Sequence, residues 1–253
     1  MLKVACLTDI GRIREINEDS FVHKPIKQGW DLLMVADGMG GHNAGEVASS
    51  IAVQSISEYI EKQAENIEHK ENAVEIVKSA VIQANYDIFA KSKQVAGFSG
   101  MGTTVTVALI SKDVMLIGHV GDSRAYLMRN SSMCKITSDH SLVAELVKNG
   151  TITEDEAQHH PQKNIITRAL GAEESVQVDT NTIILKPGDT IMLCTDGLTN
   201  MLDDKEIEHI LLKMDDPSLA VKELVDSANE LGGYDNITVL VAKVACPDSE
   251  VRK

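Results

Sequence analysis

The sequence is poor in cysteine, and its few cysteines show neither a metal-binding nor a redox spacing. Cys6, Cys134, Cys194 and Cys246 are the four among 253 residues, and no two of them form a C-x-x-C pair. Cys6 and Cys194 lie in apolar runs, which is typical of small buried thiols. Because the first residues also lack the hydrophobic segment of a signal peptide, the sequence predicts a protein of the reducing cytoplasm.

Long hydrophobic runs and an excess of positive charge are missing too. No apolar run approaches the ~20 residues of a membrane-spanning helix. Lysine and arginine number 24 against 38 aspartate and glutamate, which gives a formal net charge of -14. Neither nucleic acid nor an anionic membrane is therefore an expected partner. With only 5 prolines and no low-complexity tract, the composition is that of a globular protein, and a monomer is the default expectation.

What the sequence does contain is a series of short apolar runs interleaved with amphipathic segments. The β-branched runs bounded by turn residues predict strands at Leu2–Thr8, Asp31–Ala36, Thr103–Ile110, Val114–Val120, Ala125–Met128, Thr182–Leu185, Thr190–Thr195 and Ile237–Val244. Apolar residues at three- and four-residue spacing predict helices at Ala44–Lys62, Asn72–Lys93, Asp204–Met214 and Pro217–Leu231. Two helices in succession followed by adjacent strands favour antiparallel sheets with helices layered outside, rather than a doubly wound parallel sheet.

Residues 32–50, "LLMVADGMGGHNAGEVASS", carry an apolar run into Asp37-Gly38 and further glycines. A dinucleotide-binding loop needs glycines at positions one, three and six, but counting from Gly38 gives Gly38, Gly40 and then Asn43. No GK[ST] follows to make a phosphate-binding loop either. Asp-Gly is also a common hairpin dipeptide, so this stretch alone leaves a tight turn and a site built on the aspartate as alternatives.

The same arrangement of an acidic residue at the end of an apolar strand recurs along the chain. It is found in "TIMLCTDGLTNML" with Asp196, "MLIGHVGDSRAYL" with Asp122, "GGYDNITVLVA" with Asp235 and Asn236, and "REINEDS" with Glu18 and Asp19. One such aspartate is usually a turn former. Five acidic positions at strand ends, drawn from distant parts of the chain, predict that these side chains converge on one cleft.

Clustered carboxylates repel one another and are costly to bury unless a cation neutralises them. Oxygen ligands suit hard ions such as Mg²⁺ and Mn²⁺. Zinc-binding H-E-x-x-H and the EF-hand loop pattern are both missing. A pair of hard metal ions about 3.5–4 Å apart is a common device for hydrolysing phosphoesters, so the residues point to that chemistry.

The motifs also resemble, in order and over nearly the whole chain, those of a known family. They are "GRIREINEDS" (11–20), "VADGMGGHNAGEVAS" (35–49), "GMGTTVTVALI" (100–110), "GHVGDSRAYL" (118–127), "TSDHSLV" (137–143), "ITRALG" (166–171), "CTDGLTNML" (194–202) and "YDNITVLV" (234–241). The chain resembles the metal-dependent serine/threonine protein phosphatases of the type 2C class, specifically the compact bacterial members. Each motif alone is weak evidence for the family, but the whole set in this order is specific to it.

The resemblance implies an α+β fold, a four-layer α-β-β-α sandwich in which two mostly antiparallel sheets are flanked by helix pairs. It implies one catalytic domain over residues 1–245, a flap subdomain at about 139–170, where the sequence is a polar excursion, and a tail at 246–253. Its implied substrates are phosphoserine and phosphothreonine proteins, including a serine/threonine kinase and that kinase's targets.

The resemblance also implies metal ligands, residue by residue. Asp37 would bridge two Mn²⁺ or Mg²⁺ ions, the Gly38 carbonyl would complete one ligand set, and Asp196 and Asp235 would bind the other ion. Asp122, with Asp196, resembles the pair that holds a third and weaker ion. Asp19 is a further candidate metal-site residue, and together with Glu18 it resembles acids that orient the attacking water.

The catalytic groups implied by the resemblance are Arg14, which would bind the phosphoryl group, and Asn236, whose amide would support the site. The residues leave the identity of the general acid open. Many relatives have a histidine directly after Asp-Gly, but this chain has Met39 there. His42 is the substitute candidate because histidine as a residue type suits proton transfer near neutrality. A water at the metals, or no chemical role for His42, are the alternatives.

Two rival functions remain at this stage. A catalytically inactive relative that binds phosphoproteins would be signalled by the loss of a ligand, yet Asp37, Asp196, Asp235 and Arg14 are all present. A phosphatase of the same fold that acts on a transcriptional regulator usually carries sensor domains, for which 253 residues leave no room.

Overall fold

The computed structural model describes residues 2–40, 44–67 and 70–245. His42, Cys246 and the predicted tail at 246–253 lie outside the described residues. Within the described ranges, none of the helices combines the length and the apolar composition that crossing a membrane requires.

Two antiparallel sheets are built from strands in the described part of the chain. The strands are β1 (Leu2–Asp9), β2 (Asp19–Ile26), β3 (Trp30–Met39), β4 (Gly102–Thr103), β5 (Val105–Ser111), β6 (Val114–Val120), β7 (Arg124–Arg129), β8 (Ser132–Lys135), β9 (Asp179–Ile184), β10 (Thr190–Cys194) and β11 (Ile237–Val244). One sheet has the order β1-β11-β10-β7-β8. The other has the order β2-β3-β5-β6-β9, with β4 paired to β3.

Helices pack outside the two sheets and also occur in the connections between strands. They are α1 (Ala44–Gln63), α2 (Lys70–Gln94), α3 (Leu142–Lys148), α4 (Glu154–Gln158), α5 (Asp196–Thr199), α6 (Asp204–Lys213) and α7 (Pro217–Glu230). α1 and α2 pack on the sheet that contains β3, and α6 and α7 pack on the sheet that contains β11. The predicted four-layer α-β-β-α sandwich is thereby confirmed.

Alternate side chains along each strand face opposite sides of the sheet, and both sides are buried. In β3, Leu32, Met34 and Ala36 belong to the core beneath α1 and α2, whereas Leu33 and Val35 belong to the core between the sheets. β11 follows the same rule, with alternate residues facing its helices or the opposite sheet. Because successive side chains of a strand point to opposite faces, the continuous apolar runs of the sequence become strands buried on both sides.

Local sequence sets the ends of the outer helices. Asp203 caps α6 in a reciprocal arrangement, in which its carboxylate accepts from the Glu206 N–H at 2.8 Å and the Glu206 carboxylate accepts from the Asp203 N–H. Asp216 caps α7, and Pro217 occupies its first turn, where the missing N–H costs nothing. The predicted starts of both helices are correct.

Two strands were not predicted from the sequence, β2 and β8. β2 contains Lys24 and Pro25, and β8 has the largely exposed sequence Ser-Met-Cys-Lys. Each lies at an edge of its sheet, where proline is tolerated and one side of the strand needs no apolar residues. β2 and β8 therefore lack the apolar pattern on which strand prediction depends, whereas β1 and β9, which are also edge strands, were predicted in whole or in part.

The polar excursion contains two short helices, α3 and α4, and is tied at its base. The Leu142 N–H donates to the Ile165 carbonyl and the Thr167 N–H donates to the His140 carbonyl, both at 2.8 Å. These bonds fix the two ends of the excursion side by side. The flap subdomain implied at 139–170 stays a prediction. If it moves, amide exchange in 142–165 should be faster than in β3, and equal protection would count against it.

Candidate active site

The aspartates of β2 and β3 meet at one end of the layer between the two sheets. β2 and β3 pair with Asp19 directly opposite Asp37, on the face that turns toward the other sheet. Asp19 Oδ2 accepts hydrogen bonds from the Thr195 hydroxyl at 2.8 Å and the Thr238 hydroxyl at 2.6 Å. Thr195 follows β10 and Thr238 lies in β11, so the carboxylate of one sheet is held by hydroxyls of the other.

The tight turn that Asp37-Gly38 left open as an alternative is not formed, and Asp196-Gly197 does not form one either. Asp37-Gly38 lies inside β3, which continues to Met39, and Asp196-Gly197 begins α5. A Cβ on Gly38 would lie 2.1 Å from the Gly45 carbonyl oxygen, and one on Gly197 would lie 2.0 Å from that of Asn236. Each glycine is needed because a second backbone segment passes against the residue after the aspartate.

Asp37 is positioned through its backbone by two adjacent threonines. The Asp37 N–H donates to Thr104 Oγ1 at 3.0 Å, the Thr104 N–H donates to the Asp37 carbonyl at 2.9 Å, and the Thr103 hydroxyl donates to that carbonyl at 2.8 Å. The sequence indicated only that Thr103 and Thr104 belong to a strand. Their adjacency in "GMGTT", beside a buried apolar strand, is the one signal that could have suggested a further role.

Two more carboxylates join the site: Asp196, which follows β10, and Asp122, which lies between β6 and β7. Asp196 Oδ2 accepts from Asn200 Nδ2 at 2.8 Å, and the carboxyl groups of Asp196 and Asp37 approach closely enough to hydrogen-bond when one is protonated. Oδ1 of Asp196, Asp122 and Asp19 is buried without a hydrogen-bond partner in the described part of the chain. A buried acceptor that lacks a donor is costly.

Burial and mutual repulsion hold these acids toward their neutral forms. Burial, with Asp196 and Asp235 nearby, raises the pKa of Asp19 to about 7. Burial, with Asp196 nearby, raises the pKa of Asp122 to about 8. The pKa of Asp37 is raised well above its ordinary value by burial and then by its neighbouring carboxylates, and burial followed by Asp235 raises that of Asp196. The predicted convergence of the acids is therefore present.

No three histidine, cysteine or acidic side chains in residues 2–40, 44–67 and 70–245 are arranged as ready ligands of one ion. Asp235 instead faces Arg14, and Asp37 approaches Asp196. The donor chemistry nevertheless fits a hard cation, because three buried carboxylate oxygens have no partner and the acids repel one another. A divalent cation would satisfy both conditions at once.

Arg14 lies at the mouth of the site, with its side chain 48% exposed, and Arg14 Nη2 donates to Asp235 Oδ2 at 2.8 Å. Asp235 Oδ1 accepts from the Asn236 N–H at 2.9 Å. The Asn236 amide is used entirely for backbone contacts: Nδ2 donates to the carbonyls of Ile10 and Ile16 at 3.0 and 2.9 Å, and Oδ1 accepts from the Glu18 N–H at 2.8 Å. Asn236 thus shapes the loop that carries Arg14.

Glu18 lies beside this loop, between the β2 segment and the start of α1. Its carboxylate accepts from the Gly45 N–H, and burial raises its pKa. The Glu18 carbonyl accepts from the Gly38 N–H at 3.2 Å and from the Ser49 hydroxyl at 2.6 Å. Glu18 therefore joins β3 to α1 next to Asp37.

Sequence reasoning missed a buried histidine pair behind Asp122. The rings of His119 and His140 lie 4.9 Å apart, and the Gly121 N–H donates to His140 Nδ1 at 3.0 Å. His140 Nε2 lies 3.2 Å from Asp179 Oδ2. The backbone at His140 also holds the base of the excursion, so this histidine links that segment to the loop that carries Asp122. Its place in "TSDHSLV", among the motifs of the resemblance, was the available signal.

Comparison with known proteins places this arrangement in a family. The family model described as "Protein phosphatase 2C" matches residues 12–231. The serine/threonine phosphatase stp of Listeria welshimeri is 41% identical over 236 residues, which cover 93% of this chain and 93% of that protein. Protein phosphatase PhpP of Streptococcus pneumoniae is 39% identical over 256 residues, which cover 98% of this chain and 100% of that protein.

Solved structures agree with the sequence relatives. The serine/threonine phosphatase Stp1 of Staphylococcus aureus superposes with a TM-score of 0.92 at 35% identity and covers 97% of this chain and 96% of its own. The catalytic domain of the phosphatase PstP, in complex with two manganese ions, superposes with a TM-score of 0.85 at 33% identity and covers 97% of this chain and 99% of its own. The chain therefore belongs to the protein phosphatase 2C family, which is metal-dependent.

Proposed function

We propose that this protein is a metal-dependent phosphatase that hydrolyses phosphoserine and phosphothreonine in proteins. The observation that carries the proposal is the cluster of buried, mutually repelling carboxylates at the junction of the two sheets, with Arg14 at its mouth. Family membership over residues 12–231 supports the same reaction.

Asp37, the Gly38 carbonyl, Asp196 and Asp235 would hold two Mn²⁺ or Mg²⁺ ions. Asp122, with Asp196, would hold a third and weaker one, next to Asp19. The unpartnered oxygens of Asp19, Asp122 and Asp196 support this assignment. When bound, such ions activate water as a nucleophile and neutralise charge on the phosphoryl oxygens.

The chain's own residues bind and orient the substrate. Arg14 presents a planar guanidinium that can donate two parallel hydrogen bonds to a phosphoryl group, and Asp235 holds it at the site. Asn236 fixes the backbone on either side of Arg14. Glu18, whose carboxylate accepts from the Gly45 N–H, would orient the attacking water. The proton donor to the leaving alkoxide is His42 or water, and His42 lies outside the described residues.

The physiological setting we propose is the cytoplasm, where the enzyme, as a monomer, opposes a serine/threonine kinase and acts on that kinase's targets. The unpaired Cys6, Cys134 and Cys194 support a reducing compartment. The rival function, a phosphoprotein-binding module without turnover, is disfavoured because the acids and Arg14 are together at one site.

The proposal is tested by measuring phosphate release from a phosphothreonine peptide in Mn²⁺ and in chelator. We expect turnover in Mn²⁺ and none in chelator, with recovery when Mn²⁺ is restored. Folded protein that binds the phosphopeptide in Mn²⁺ but releases no phosphate would support the binding module instead.

Replacing Arg14 with lysine should lower kcat/KM for the peptide by about 10- to 100-fold. Lysine keeps the charge but loses the paired donors, and a hydrogen bond to a charged group contributes about 1.5–3 kcal/mol. Steady-state kinetics of Arg14→Lys beside Arg12→Lys, an exposed arginine two residues away, measure the difference. Equal activity of both variants and the parent would remove Arg14 from phosphoryl binding.

A further inference from the structure

Exposed apolar side chains lie on the loop that carries Arg14 and on the loop to which that loop is hydrogen-bonded. Twelve large apolar side chains are exposed in the described residues, and five of them lie on two loops that meet beside Arg14. We call them the apolar rim: Ile10 (37% exposed), Ile13 (63%), Ile16 (38%), Leu231 (52%) and Tyr234 (63%). Single exposed apolar residues are ordinary, but a contiguous group usually marks a binding surface.

The two loops of the apolar rim form one built surface. The Arg12 N–H donates to the Gly233 carbonyl at 2.7 Å. Asp9 Oδ1 accepts from both the Gly11 N–H at 2.8 Å and Asn229 Nδ2 at 3.1 Å, which joins the first loop to the end of α7. A Cβ on Gly11 would lie 2.3 Å from the Asp235 carbonyl oxygen. The apolar side chains are therefore presented by a backbone that is held in place.

Within the first loop, a single amide brings the two flanking isoleucines together. Asn236 Nδ2 donates to the carbonyls of both Ile10 and Ile16, so the loop between them closes on itself. Arg14 and Ile13 lie in the exposed middle of this loop. On the second loop, the Tyr234 ring packs against Gly232, where a Cβ would come within 2.8 Å of the ring.

We propose that the apolar rim binds apolar side chains within three residues of the phosphoserine or phosphothreonine in the substrate. This rests on the proposed function, because Arg14 fixes where the phosphoryl group lies. Consecutive Cα atoms are about 3.8 Å apart, so three extended residues span only about 10–11 Å. A peptide whose phosphate meets Arg14 therefore has its flanking residues within reach of the loops that carry Ile13 and Tyr234. Substrates with apolar residues beside the phosphorylated residue then bury apolar surface on the rim, whereas substrates with polar residues there do not.

Two phosphothreonine peptides and one small ester test the proposal on the full chain in Mn²⁺. One peptide has valine and leucine next to the phosphothreonine, the other has serine and glycine there, and para-nitrophenyl phosphate has no flank. We expect the parent to prefer the apolar peptide by about tenfold in kcat/KM. In the double variant Ile13→Ser/Tyr234→Ser this preference should disappear through a higher KM, with para-nitrophenyl phosphate turnover unchanged.

The matched control is Tyr86→Ser/Ile184→Ser, which removes a tyrosine and an isoleucine of similar exposure, 60% and 55%, outside the two loops. It should keep the preference. Equal kcat/KM for the two peptides in the parent, or an unchanged preference in the rim variant, would overturn the inference while leaving the phosphatase reaction intact. Sedimentation that shows a dimer, dissolved by the rim variant, would assign the surface to a second copy and also overturn it. A parent inactive on all three substrates would defeat the proposed function itself.

Discussion

Asp37→Asn is expected to lower Mn²⁺-dependent phosphate release by about a thousandfold or more. Asp37 is the acid that would bridge the two ions, and metal ions contribute several kcal/mol to such reactions; each 1.36 kcal/mol corresponds to a factor of ten in rate. The amide keeps the shape of the side chain, and the backbone bonds from Thr103 and Thr104 do not involve the carboxylate. The loss should therefore occur in a folded protein.

A second readout separates this loss from unfolding. Burial and neighbouring carboxylates raise the pKa of Asp37, so an uncharged asparagine relieves repulsion. In chelator the variant should melt at the same temperature as the parent or higher, and it should lose the rise in Tm that Mn²⁺ gives the parent. Asp226→Asn is the control, since this exposed aspartate pairs with Lys222 on α7 and such pairs contribute little. Full activity in Asp37→Asn would remove Asp37 from the metal site.

The free energy of unfolding in chelator is expected to fall as the pH rises from about 6.5 to 8, by on the order of 1 kcal/mol or more per pH unit. The pKa values of Asp19 and Asp122 are raised by burial to about 7 and about 8. In the unfolded chain both groups ionise near pH 4. The folded state therefore binds more protons in this window, and its stability is lost as the pH passes the folded pKa values.

The histidines set the lower limit of that window. Burial lowers the pKa of His119 to about 4 and also lowers that of His140. These groups make stability rise with pH below about 6.5, where the unfolded histidines still bind protons. Above that pH their contribution grows more slowly and is nearly complete by about pH 7.5, and over the whole window the fall from the two acids is larger.

Urea unfolding at pH 6.5, 7.2 and 8.0 measures this effect, in chelator and in Mn²⁺. Mn²⁺ binds the ionised carboxylates, so the fall should vanish or reverse when the metal is present. A stability in chelator that does not change over the window would contradict the raised pKa values, and with them the crowding of the acids.

The parts of the fold that were predictable from sequence are those where local pattern and packing agree. β6 and β11 have the predicted bounds, because a β-branched run buried on both faces leaves no other structure. The edge strands β2 and β8 carry no such pattern. The acids of the site were found because each lies near the end of an apolar run in the sequence, whether inside the strand, as Asp37 is in β3, or beside it, as Asp196 is after β10.

The hydrogen bonds that hold those acids in place could not be predicted in the same way. Thr195 and Thr238 reach Asp19 from the opposite sheet, and Thr104 reaches Asp37 from 67 residues away in the chain. Such contacts depend on how the two sheets stack, which no local spacing encodes. The Asp-Gly pairs were ambiguous for the same reason, since Gly38 and Gly197 serve backbone segments that approach only in the folded chain.

The most direct test of the account is the number of Mn²⁺ ions bound per chain, measured by equilibrium dialysis and metal analysis on the parent and on Asp37→Asn. We expect two tightly bound ions in the parent and a loss of at least one in the variant, with Asp226→Asn unchanged. A parent that binds no Mn²⁺ above background, or a variant that binds as many ions as the parent, would contradict it.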